Sequence, residues 1–86
     1  MTTDVMSADE RVKNVRVDRG NLIVDLMDGR AISIPLARYP RLFHATPQQR
    51  AHWELCGGGY GIHWPDVDED LSTAGLLRES QAMRSA

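Results

Sequence analysis

Three short runs of alternating apolar and polar residues, separated by two tight-turn signals, fill the stretch from Val12 to Pro35 and constrain the fold more than any other feature. Val12, Val15 and Val17 form the first run, which ends at Arg19-Gly20-Asn21. Leu22, Val24 and Leu26 then alternate with Ile23, Asp25 and Met27, and Ile32 and Ile34 alternate with Ala31 and Ser33 before Pro35, which has no amide hydrogen to give a ladder. A period of two places one set of side chains on one face of a strand. Asp28-Gly29 between the second and third runs is a strong hairpin signal, predicting a type I′ turn with positive φ at both central residues. The pattern predicts a three-stranded antiparallel meander with one apolar face that something must cover.

The following segment is expected to supply the cover. Leu36-Ala37-Arg38-Tyr39 fits one helical turn before Pro40, and Arg41 to Ala45 adds apolar bulk. Thr46-Pro47-Gln48-Gln49 combines a capping hydroxyl, a proline at the first helical position and a glutamine placed to close a capping box. The helix is expected from about Pro47 to Leu55, with Ala51 and Leu55 on one face, Arg50 and Glu54 as a surface ion pair, and Gly57-Gly58-Gly59 as its stop. Tyr60 to Trp64 reads as a fourth strand ended by Pro65, Asp66 to Asp70 as an acidic turn, and Ser72 as the cap of a short helix over Thr73 to Leu77. The class predicted is a small α+β domain over residues 9–78: the meander plus one later strand, with one or two short helices on one face. Residues 1–8 and 79–86 are expected to fray.

With 86 residues there is room for one core only. Such a core leaves a small margin of stability, which a partner or a second copy would widen. The formal charge of −2 conceals three blocks: −2 over residues 1–29, +4 over 30–53 and −4 over 54–86. Nine of the ten basic residues are arginine, the side chain suited to planar, bidentate pairing. An acidic total argues against a generic nucleic-acid binder. One cysteine, Cys56, forms no internal disulfide, and no apolar run approaches the length of a membrane span, so a cytoplasmic protein is expected.

Candidate sites are few. His63 with Asp66, Asp68, Glu69 and Asp70 offers metal-ligand chemistry, yet Leu71 and Leu77 stand where a calcium loop starting at Asp66 needs glycine and glutamate. Cys56 lies four residues after His52, on one face of the predicted helix, but at the end where the helix dipole disfavours a thiolate. The glycines from Gly57 to Gly61 follow a helix and open a strand, the reverse of a phosphate loop. No catalytic residue and no cofactor are assigned. Trp53, Trp64, Tyr39 and Tyr60 read as core and core-edge residues, and Trp64, beside the acidic turn, also as a partly exposed interface anchor.

The second half carries a family pattern. Asp28-Gly29-Arg30, Pro35-Leu36, Tyr39-Pro40-Arg41-Leu42, Ala45-Thr46, Gln49-Arg50, Trp53, Gly59, Gly61-Ile62-His63-Trp64-Pro65, Asp68-Glu69-Asp70-Leu71 and Gly75-Leu76-Leu77 together resemble the bacterial family of domain of unknown function 2442, over about residues 12–78. The resemblance implies a small α+β fold with an antiparallel sheet and no established activity. It also implies a setting. Some relatives carry an added helix-turn-helix domain, and many occur beside a small family, domain of unknown function 4160, in toxin–antitoxin arrangements. A chain ending at Ala86 is expected to be a stand-alone member without that extension.

Three functions follow as expectations. The foremost is a non-enzymatic interaction module, antitoxin-like or regulatory, that meets a basic protein partner, possibly a small toxin of the 4160 family, through Trp64, Asp66, Asp68, Glu69 and Asp70. Self-association of the basic middle with the acidic end competes with it. The second is a nucleic-acid-binding regulator using Arg30, Arg38, Arg41 and Arg50 as a patch. The third is a metal- or small-ligand-binding protein around His63 and the acidic turn.

Overall fold

The computed structural model describes residues 9–85. Strands β1 (Val12–Asp18), β2 (Asn21–Leu26) and β3 (Ala31–Pro35) form an antiparallel sheet in that order. Val12, Val15, Leu22, Val24, Leu26, Ile32 and Ile34 are buried on its inner face. Val12 and Val15 share that face although three residues apart, because the β1–β2 register shifts between Val12 and Asn14: an extra residue in the strand restores the alternation.

Both turns of the meander form, but the pair of positive-φ residues expected at Asp28-Gly29 is found at the other turn. At Asp28-Gly29 only Gly29 has positive φ (96°), so the predicted type I′ turn is corrected. Gly29 N–H donates to the Leu26 carbonyl (3.1 Å) and Leu26 N–H to the Arg30 carbonyl (2.8 Å), a three-residue loop in which Gly29 takes the left-handed bulge position. Arg19 and Gly20 are the adjacent pair with positive φ (52° and 80°), between the partners Asp18 and Asn21.

The second half departs further. A 3-10 turn over Leu36–Arg38 leads into α1 (Pro40–Phe43), which buries Leu42. Helix α2 starts as predicted, with the full capping box between Thr46 and Gln49, but spans only Pro47–Ala51 and buries no residue. The chain from Glu54 to Cys56 is strand β4, paired with β5 (Gly61–Trp64), which in turn pairs with β6 (Glu69–Ser72). Gly57, Gly58 and Gly59, all at positive φ, turn the β4–β5 hairpin and do not cap a helix. The apolar face proposed for a longer α2 rested on Ala51 and Leu55, both exposed; the hairpin instead places Ile62 and Trp64 in the core. The molecule thus has a second three-stranded antiparallel sheet where one later strand was expected, within the same α+β class.

Helix α3 (Thr73–Ser85) is capped by Ser72, whose Oγ accepts from Gly75 N–H at 3.0 Å. It runs well past Leu77, so the fraying expected from residue 79 is replaced by helix up to Ser85. Residues 1–8, also expected to fray, lie outside the described residues. Leu76 joins the core contributed by both sheets, and Leu77 and Met83 pack against it. No described helix is long and apolar enough to cross a membrane.

Candidate functional site

Strand register decides what the second sheet shows to solvent. Ile62 and Trp64 on β5 point inward, so His63 points outward, and its partners in register are Glu54 on β4 and Asp70 on β6. Directly opposed residues share a face, so Glu54, His63 and Asp70 form a row across three strands. His63 Nδ1 lies 2.7 Å from Asp70 Oδ1. The next row along the same face holds Cys56, Gly61 and Ser72. Cys56 Sγ leans over Gly61, 2.7 Å from where a Cβ would sit, so the bare glycine makes room for the thiol.

The tip of the β5–β6 hairpin is tied down from outside. His52 Nδ1 meets Asp66 Oδ2 at 2.9 Å, and Arg41 Nη1 donates to the Asp68 carbonyl at 2.5 Å. The hydrogen bond that Asp66 accepts from His52, and then the Asp66 charge, hold the His52 imidazole above its ordinary pKa, with Glu54 adding to the effect. Asp68 adopts positive φ (53°), and the bond closing the turn, Val67 N–H to the Trp64 carbonyl, is long at 3.4 Å.

The expected partner-binding residues therefore divide. Asp66, Asp68 and Asp70 are exposed, and Asp70 keeps 68% of its side chain accessible. Glu69 pairs with Trp64 on the opposite face of the sheet and is only partly exposed. Trp64 is 1% exposed, and its indole N–H donates to the Arg50 carbonyl at 3.0 Å. The interface anchor predicted at Trp64 is corrected: alternation along β5 directs this side chain into the core. The acidic turn read over Asp66 to Asp70 is also corrected, since Glu69 and Asp70 belong to β6.

The four arginines of the basic middle each have separate work. Arg30 pairs with Asp28 and Glu10 at the β2–β3 hairpin, where it holds the Asp28 carboxyl below its usual pKa. Arg38 pairs with Glu79 on α3. Arg41 holds the hairpin carbonyl of Asp68, and Arg50 donates to the carbonyls of Leu42 and Phe43. Arg50 does not pair with Glu54, because α2 stops at Ala51 and no longer sets the two on one helical face. For the same reason His52 and Cys56 do not share a helix face. Among the described residues no group of three or more His, Cys, Asp or Glu is placed to hold a metal ion: His63 engages Asp70, Asp66 engages His52, and Glu69 faces away.

Sequence reasoning missed His52 and Glu54 as members of this surface. The signal was available, since a glycine-rich turn between Glu54-Leu55-Cys56 and Gly61-Ile62-His63 is also a hairpin pattern. A shallow groove of about 450 Å³ lies where β4 and its glycine turn meet the first sheet, lined by Val12, Met27, Leu55, Cys56 and neighbouring residues.

A model of a protein of unknown function, DUF2442, matches residues 12–82. The chain belongs to the DUF2442 family. Among solved structures, the DUF2442 chain is similar to a protein of unknown function from Rhodospirillum rubrum, with 37% identity and a TM-score of 0.68 over 80% of this chain and 86% of that one. An uncharacterised protein from Chromobacterium violaceum shares the fold, with a TM-score of 0.67 and 24% identity over 79% of this chain and 64% of that one. No curated protein matches.

Proposed function

We propose that this DUF2442 domain is a non-enzymatic protein-interaction module, the antitoxin-like or regulatory member of a bacterial two-protein system, working in the cytoplasm. The observation that carries this reading is the exposed β5–β6 hairpin, which presents Asp66, Asp68 and Asp70 to solvent on a backbone held by Arg41 and His52. Carboxylates on a fixed backbone suit a basic partner, because the ordering cost of docking is reduced before contact. Charge of this kind steers encounter and sets specificity more than it sets affinity. Trp64 is no part of the surface; Asp66, Asp68 and Asp70 form it, with Glu69 at its inner edge. The arginines weaken the nucleic-acid reading, since Arg30 is neutralised by Asp28 and Glu10 and Arg38 by Glu79, and Arg41 and Arg50 brace backbone carbonyls.

The test is the solution mass of the protein, alone and co-expressed with the product of its neighbouring gene, a small basic protein of the 4160 family in the arrangement that the resemblance implies. A complex of fixed stoichiometry is expected, weakened by Asp66→Asn with Asp70→Asn and by added salt. A protein that keeps its own mass in the presence of that neighbour would overturn the proposal, and a homodimer indifferent to it would point to self-association.

A further inference from the structure

Two imidazole–carboxylate pairs hold the β5–β6 hairpin at different places. His63 reaches across to Asp70 at 2.7 Å, and His52, just beyond α2, reaches Asp66 in the connecting loop at 2.9 Å. Glu54 faces both imidazoles: it opposes His63 in the β4–β5 register, and its charge is felt at His52. Arg41, on α1, is the fixed positive charge nearby, bound to the Asp68 carbonyl. The loop between the pairs closes weakly on itself, with its turn bond at 3.4 Å and Asp68 in the left-handed region that an L side chain rarely adopts. It is held mainly by these outside ties.

We propose that the His52–Asp66 contact, with Glu54 beside it, is a pH-sensitive clamp: protonation of His52 tightens the hairpin tip onto the end of α2, and deprotonation loosens it. A neutral imidazole still donates from Nδ1 to a carboxylate, but an imidazolium makes the charge-assisted bond, which is stronger and shorter. Protonation also changes what the surface presents. His52, Glu54 and Asp66 together carry a formal charge of −1 with the imidazole protonated and −2 with it neutral. The sign at His52 follows from its raised pKa: the tie is fully present below the ordinary value of 6.5 and is lost as pH rises through the higher value in the folded state. The device is independent of what the hairpin binds.

The experiment is backbone amide exchange of the whole chain, followed by NMR at pH 5.5 and 8.0 and expressed as protection relative to intrinsic rates. Protection at Val67 is expected to fall about two- to fivefold between these pH values, the range for an exposed ion pair. Val24, in the centre of the first sheet, exchanges through global unfolding and reports the stability of the whole fold. His52→Gln should abolish the pH response of Val67 while leaving Val24 protected. Equal protection of Val67 at both pH values in the wild type would overturn the clamp, as would a response that survives in the variant. The wild-type comparison of Val67 at the two pH values decides the matter on its own should the variant be poorly folded.

Discussion

Arg50 joins three parts of the second half. Its Nε donates to the Leu42 carbonyl at 2.9 Å and its Nη2 to the Phe43 carbonyl at 2.8 Å, while its own carbonyl accepts the Trp64 indole N–H. Helix α1 is a single turn; its Leu42 carbonyl already accepts Ala45 N–H at 3.1 Å, and the guanidinium adds a second donor there and one to the Phe43 carbonyl. Through this contact the corner between α1 and α2, from which Arg41 and His52 reach the hairpin, is fixed to the buried side of β5. Arg50→Ala should destabilise the fold by about 1–2 kcal/mol, within the range for hydrogen bonds from a charged group that is only partly buried. Arg50→Lys should recover less than half of that, because a point ammonium cannot match the planar fork that serves two carbonyls. Urea unfolding measures both; a loss below about 0.5 kcal/mol for the alanine variant would rule out this bracing role. Composition gave Arg50 a place in a basic block, but nothing local to it in the chain says that its guanidinium folds back on α1. That contact exists only once α1, α2 and β5 have met.

The turns show what is legible at the scale of elements and what is not. Both meander turns are marked by glycine, and both occur where expected, yet the dipeptide does not choose the turn type. At Asp28 the side chain decides: its carboxylate accepts from Arg30 N–H at 3.0 Å and from Asp9 N–H at 3.1 Å, which suits a wider loop with Asp28 at negative φ. The tighter two-residue turn falls to Arg19-Gly20, where an arginine bears positive φ without a short polar side chain to stabilise it. Asn-Gly is the preferred pair for such a turn. Arg19→Asn is therefore expected to raise stability by about 0.5–1 kcal/mol, seen as a higher urea midpoint at unchanged slope. An unchanged or lower midpoint would show that Arg19 compensates its own strain. Strands β4 and β6 were missed for a different reason. They have three and four residues, and β4 is exposed throughout, so neither carries an alternation strong enough to read. Their pairing with β5 creates them, and Ile62 and Trp64 are the residues whose burial makes that pairing worthwhile.

The two sheets belong to one molecule only through a shared core. Sheet β1–β2–β3 buries Val12, Val15, Leu22, Val24, Leu26, Ile32 and Ile34, and these make a single cluster with Ile62 and Trp64 of the second sheet, Leu42 of α1 and Leu76 of α3. Neither sheet has its own second layer, and an apolar face left uncovered cannot sustain three short strands in water. Stability should accordingly be indivisible, although the local ties around the hairpin are adjustable. Both tryptophans, Trp53 and Trp64, lie in the second half, so their fluorescence reports that half, whereas far-UV circular dichroism averages over both sheets. In urea the two signals should trace one transition with a common midpoint and slope. Ile62→Ala, at a site with no exposure, should lower both midpoints together, by an amount corresponding to about 2–5 kcal/mol. If fluorescence changed first and the dichroism of the meander survived, the first sheet would be a folding unit in its own right, and the hairpin could detach without unfolding the rest. Coincident curves would confine the movement of the hairpin to its tip, where His52 and Arg41 hold it.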